Sequence, residues 1–170
     1  MEFMDLVSKR RSVRGFTKTP VPEDVITAML QAAVESPSGG NCQPWHFYVV
    51  RDPSLLRQIH ERSYKSSWFG TASLAIVVCA ESERSAGYGE RGQQLYCIQD
   101  TAAAVQSMLL CATAHGVGTC WCGAFDEAAL REILDIPQNQ RPVAMIPTGY
   151  AAAEKPKVKR RPMDEVVTYM

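Results

Sequence analysis

Arg10, Arg11, Ser12 and Arg14 stand within one short segment near the start of the chain, preceded by Lys9. A guanidinium presents a planar fork of donors that matches phosphate oxygens in pairs. A segment of this kind can wrap one phosphate; as an isolated stretch it reads first as a solvated basic turn. A second basic cluster, Lys157-Val158-Lys159-Arg160-Arg161-Pro162, lies in the tail. If the fold brings the two together they need a counter-anion, because positive charge is costly to bury alone. A phosphate monoester, of charge about −1.5 to −2, suits that demand.

Two further segments carry polar chemistry of another kind. Pro37-Ser38-Gly39-Gly40-Asn41-Cys42-Gln43-Pro44-Trp45-His46-Phe47 is a loop running into a strand. Its glycines let a backbone approach a ligand closely. The amides of Asn41 and Gln43 both donate and accept, as the edge of a flat heterocycle requires. The same residues are ordinary turn chemistry. In the second half, Gly116 to Phe125 contains Cys120-Trp121-Cys122-Gly123. A zinc site needs four ligands, and no second Cys/His pair has the close spacing for one. No metal site is expected, nor a redox relay through the two thiols. A strand ending at Gly123 can offer backbone N–H groups to a ligand. His46, His60 and His115 form no ligand set.

The elements that must hold these segments follow from spacing. Met4 to Lys9 suits a short helix, and Pro22 at the first helical position opens a second, with Val25, Ile26, Met29, Leu30, Ala33 and Val34 on its apolar stripe. Trp45 to Val50 predicts a strand, with Trp45 and Phe47 on one face and His46 on the other. Asp52-Pro53 starts a helix to about Arg62. Leu74 to Ala80 is a continuous apolar run of strand length. A long helix is expected from about Gln94 to His115, stopped by Gly116. Gly118 to Cys122 is a short strand, Asp126 caps a helix to about Leu134, and Val143 to Pro147 is the last strand. The order is α-α-β-α-β-α-β-α-β-tail, one domain over residues 1–170 with 151–170 as a basic C-terminal extension.

Composition narrows the class. Among 170 residues, 18 Lys+Arg balance 18 Asp+Glu, which argues against a general nucleic-acid binder. The apolar run at 74–80 falls far short of the ~20 residues of a membrane-spanning helix. MEFMDLVSKR has no apolar core of a signal peptide. The cysteines at 42, 79, 97, 111, 120 and 122 are scattered through apolar or helical sequence, as thiols of a reducing cytoplasm would be. A cytoplasmic protein without membrane or nucleic-acid partners is the expectation.

Taken together, KRRSVR, SPSGGNCQPWHF, GVGTCWCGAF and the basic tail resemble the nitroreductase family of flavin oxidoreductases, in order and over most of the chain. QDTAAAVQSMLL and PTGY add to the likeness. The resemblance implies an α+β fold with a central mixed sheet flanked by helices, in an intertwined homodimer that holds FMN at the subunit interface. It implies that Arg10, Arg11, Ser12 and Arg14 hold the FMN phosphate and ribityl chain, joined by Lys159 and Arg160 from the tail, with Arg161 as the competing register. Pro37, Ser38 and Gly39 would lie against the ring from the other subunit, with Asn41 and Gln43 nearby. Trp121, Cys122 and Gly123 would line the ring edge, with a backbone N–H near N5. The implied activity passes hydride from NADH or NADPH through FMN to a small acceptor (a nitroaromatic, quinone or flavin) in ping-pong fashion, with no catalytic side chain. The alternatives are a relative specialised for reductive dehalogenation or flavin breakdown, and a flavin- or anion-binding module without turnover. Cys122 stands where the family often has an aliphatic residue, and Ala72-Ser73 where it often has Ala-Pro. Residues 60–95 are sparse beside larger members.

Overall fold

In a computed structural model, residues 2–154 and 156–170 are described; Lys155, one of the tail's basic residues, lies outside them. Helix α1 (Phe3–Lys9) and helix α2 (Glu23–Val34) come first. Pro22 is the residue capping α2 rather than its first helical residue, and Glu23 and Asp24 occupy the first turn, where the positive helix end favours them. Strand β1 (Trp45–Val50) and strand β2 (Leu74–Ala80) have the predicted bounds. Between them, α3 (Pro53–Gln58) is shorter than expected, because its last turn widens into a π-helical turn over Ile59–Ser63. Asp52 caps α3, accepting from the N–H groups of Ser54 and Leu55.

Residues 82–96 are more ordered than their polar sequence suggests. A 3-10 stretch, Ser82–Tyr88, leads into the single turn α4 (Gly89–Arg91) and a π turn, Gly92–Tyr96. Gly92 is required there: a Cβ would meet the Ser85 carbonyl oxygen at 2.1 Å. The long helix α5 (Cys97–Ala114) continues from that turn and stops before Gly116, whose φ is +72°. Strand β3 (Gly118–Thr119) is shorter than predicted, but its line continues to a bridge between Cys122 and Met145. Helix α6 (Glu127–Leu134) is capped by Asp126, and β4 (Arg141–Gly149), the last strand in sequence, runs two residues beyond the predicted bounds at each end.

The sheet runs β1-β2-β4-β3 with every strand pair antiparallel; the parallel component is an isolated bridge from Ser12 to Thr119. Leu74, Ile76 and Val78 of β2 face one core with α2 and α5, while Ala75, Val77 and Cys79 face a second with Leu130 and Ile133 of α6. Burial on both faces explains the unbroken apolar run of β2. β1 alternates as expected, with Trp45 and Phe47 against the first core and Tyr48 and Val50 against the second. Among the described residues, no helix is long and apolar enough to cross a membrane.

Candidate functional site

The chain leaves α1 at Arg10 and lies along the sheet edge: the Val13 N–H donates to the Thr119 oxygen at 2.9 Å. This fixes Arg10, Arg11, Ser12 and Arg14 along one wall of a cavity of about 650 Å³. Met4, Val7 and Ser8 of α1 form a second wall, and Pro156, Lys157, Val158 and Arg160 of the tail a third. The two basic clusters of the sequence therefore meet. No acidic residue lines the cavity among the described residues. Arg10 feels the crowding: burial and the neighbouring charges of Arg160 and Arg11 lower its pKa. Guanidinium groups stay charged regardless, so the cluster lacks a counter-anion.

The four residues of the first segment are not equivalent. Arg11 turns its Nη1 back to the Ser8 oxygen, and to the Arg10 oxygen at 3.0 Å, closing the end of α1, while its Nε is buried without a partner. In the tail, Arg160 lines the cavity and Lys159 does not. Arg161 is bound to Glu165, from Nε to Oε2 at 3.2 Å and from Nη2 to the backbone oxygen at 3.0 Å.

Cys120 and Cys122 are buried on the second core face. Cys120 ionises first: the Cys122 thiol, then Arg14, Ser12 and Arg10, outweigh burial and bring its pKa down to about 7. Cys122 is pushed up by the Cys120 thiol and by burial. Tyr64, packed against the same core, is pushed up to about 12, chiefly by burial and then by Cys122. The Cys122 N–H is committed to the Met145 oxygen at 2.9 Å. Neither the Trp121 N–H nor the Gly123 N–H has an acceptor among the described residues, so both are open to a ligand at this strand end. Trp121 is 41% exposed.

The loop from Pro37 to Gln43 lines no part of the arginine cavity. Its carbonyls and amides close mostly on themselves: Asn41 N–H to Ser38 oxygen at 3.0 Å, Gln43 N–H to Ser38 Oγ at 3.0 Å, and Gln43 Nε2 to Asn41 Oδ1 at 3.1 Å. Gly40, Asn41 and Gln43 all have positive φ. Gly40 is fixed by contact as well, since a Cβ would lie 2.1 Å from the Tyr88 hydroxyl. Asn41 and Gln43 are exposed. The Gly39 N–H donates to both carboxylate oxygens of Asp100 on α5, each at 3.2 Å. Burial raises the Asp100 pKa, and that hydrogen bond opposes the rise. Tyr96 packs beside Gly39, and Arg91 stands 5.6 Å from the Tyr96 ring centre.

Asp100, Tyr88 and Tyr96 escape a reading by motif. Asp100 leaves a trace, as the acid on the buried stripe of α5 between Cys97 and Ala104. His46 lies on the face of β1 opposite Trp45 and Phe47, exposed and 3.9 Å from Glu81. Among the described residues, no cluster of three or more His, Cys, Asp or Glu side chains is placed to hold a metal.

The chain is thus an α+β protein with an antiparallel sheet, an arginine-lined cavity at the sheet edge and a separate amide-rich loop. The comparisons identify the family: the Nitroreductase family profile matches residues 7–67 and 60–150, and the chain belongs to that family. An NADH dehydrogenase of Thermus thermophilus is 32% identical over 95% of this chain and 92% of its own. The iodotyrosine deiodinase of Nematostella vectensis is 28% identical over 98% of this chain and 74% of its own. The crystal structure of a nitroreductase family protein from Clostridium difficile superposes with a TM-score of 0.86 at 28% identity, covering 99% of this chain and 98% of the other.

Proposed function

We propose that this protein is an FMN-dependent oxidoreductase that carries hydride from NADH or NADPH to a small organic acceptor, working as a homodimer in the cytoplasm. The observation that carries the reading is the arginine cavity, lined by Arg10, Arg14 and Arg160 with no acid beside them among the described residues. Its charge fits a phosphate monoester, and its size fits more than a free ion. Arg10, Arg14 and Arg160 would clamp the FMN phosphate, with Ser12 donating beside them. Arg11 would shape the cavity floor while it closes α1. Lys159 belongs to this set only through the family likeness.

The ring needs a second surface, which the Pro37–Gln43 loop of a partner copy would give. Pro37, Ser38 and Gly39 would pack against it, with the Asn41 and Gln43 amides reaching its polar edge. Trp121, Cys122 and Gly123 would line the near edge, with the free Gly123 N–H as the donor. Helix α1 buries none of its residues within the chain, and Phe3, Met4, Val158, Met163 and Tyr169 are exposed. An apolar face of this kind supports a second copy as its cover. FMN bound there would supply the two-electron chemistry at N5 between nicotinamide and acceptor. The protein's own part is positional, since hydride transfer depends on close approach and alignment. On this reading no side chain is needed as an acid or base, and nicotinamide and acceptor would use the same face in turn.

The test is direct. Purified protein loaded with FMN should bleach anaerobically with NADH or NADPH and recover its colour on adding a nitroaromatic or quinone. Parallel double-reciprocal lines at varied nicotinamide and acceptor are expected. A yellow protein that reduced nicotinamide does not bleach would be a binding module. The deiodinase relative favours a second reading, reductive dehalogenation of an aromatic ring; halide release from a halogenated phenol in the same screen distinguishes it.

A further inference from the structure

We infer that Asp100 is the positioning residue of the 38–43 loop, fixing through its carboxylate oxygens the surface which that loop offers to a flavin ring. The inference rests on the flavin reading for its purpose, though not for its geometry.

The loop is bound to itself almost throughout. Asn41 N–H reaches Ser38, Cys42 N–H reaches Gly39, and Gln43 reaches both Ser38 and Asn41. Among the described residues, one hydrogen-bonding group in 38–43 reaches another element: the Gly39 N–H, shared between Asp100 Oδ1 and Oδ2 at 3.2 Å each. The loop also holds Asn41 at φ +58° and Gln43 at φ +49°, conformations that non-glycine residues keep only when the surroundings over-determine them. Local bonds shape such a loop but do not fix where it sits on the fold. Its two ends are anchored by Ser36 Oγ to Ser107 Oγ at 2.7 Å and by the Glu81 N–H to the Pro44 oxygen at 3.0 Å; between those ends Asp100 fixes it from the rigid body of α5. Its location is otherwise hard to account for. It is buried on an apolar stripe, and no cation pairs with it among the described residues. A carboxylate in such a place needs a donor to offset its desolvation, and the donor it has is the loop.

Tyr88 and Tyr96 pack over Gly40 and Gly39. They close the loop's outer side sterically but hold it through no hydrogen bond among the described residues. The polar tether is therefore Asp100 alone among these contacts.

The experiment compares Asp100→Ala and Asp100→Leu, which remove the acceptor, with Asp100→Asn, which keeps an amide oxygen in place. Leucine suits a buried apolar stripe and gives the reading where the alanine variant fails to fold. In flavin-free protein, amides of 38–43 should exchange about tenfold faster or more in the acceptor-less variants, as expected for losing one hydrogen bond to a charged group. Amides of β2 should keep their protection, and Asp100→Asn should stay near the parent. In flavin-binding titrations the acceptor-less variants should lose affinity for FMN and riboflavin by the same factor, because the ring side is affected and the phosphate side is not. Unchanged exchange in 38–43 overturns the inference. So does an asparagine variant as loose as alanine, or a loss confined to FMN. If the parent protein takes up no flavin, the proposed function fails while the exchange measurement still decides the role of Asp100.

Discussion

Among the arginines, chemistry is set by what each guanidinium already holds. Arg10 lies among like charges and lines the cavity, Arg11 is bound to the end of α1, and Arg161 is bound to Glu165. Arg10→Ala or Arg160→Ala should therefore weaken FMN binding by about 1.5–3 kcal/mol for each charged hydrogen bond lost. Riboflavin, which lacks the phosphate, should respond much less, and Arg161→Ala should leave both unchanged. Titrating flavin fluorescence against each variant measures this; equal losses for the two flavins would assign these arginines a structural part. The residue types were legible in the sequence, because guanidinium and phosphate match wherever they meet. The division of labour was not. Whether Arg11 faces the cavity or the helix end depends on where α1 stops, and Arg160 differs from Arg161 only by which side of the tail faces inward.

Elements were most legible where both ends carry a signal. β1 and β2 kept their predicted bounds because turn residues flank compact apolar runs, and α6 kept its own because Asp126 caps it with an acceptor 2.9 Å from the Ala129 N–H. Removing that acceptor with Asp126→Ala should cost about 1 kcal/mol of folding stability, read as a lower midpoint in urea with an unchanged slope. The effect passes beyond the cap, since Leu130 and Ile133 carry α6 into the second core. Boundaries failed where tertiary packing overrides local pattern. The start of α5 follows a π turn imposed by the close approach of Gly92 to Ser85, and nothing in the spacing of 92–97 encodes that distance. β3 looked longer in sequence because Cys120 to Cys122 continue the strand's line without a full ladder.

For the whole molecule, element order could be read but strand neighbours could not, because pairing such as β2 with β4 depends on contacts between distant parts of the chain. The same limit applies to the site. Its arginine side comes together within one chain, and its loop side does not line the same cavity. The exposed apolar residues of α1 and the tail are the physical counterpart of that division. Sedimentation of FMN-loaded protein should give a dimer across micromolar concentrations, since an interface that completes a site and covers an apolar face is of the obligate kind. A stable flavin-loaded monomer would refute the arrangement.

The burial of β2 on both faces has a consequence for how the chain is made. Leu74 to Ala80 is uncharged, rich in β-branched residues and free of proline and glycine, the composition that stacks with copies of itself when exposed. β1 is available early and pairs with one edge. β4, which covers the other, is the last strand to leave the ribosome. From the end of β2 at Ala80 until β4 begins at Arg141 the central strand therefore waits with an open edge, a template for neighbouring nascent chains. Rapid overproduction should favour aggregates seeded there, and slower synthesis should favour the folded protein, although the finished fold conceals every residue responsible.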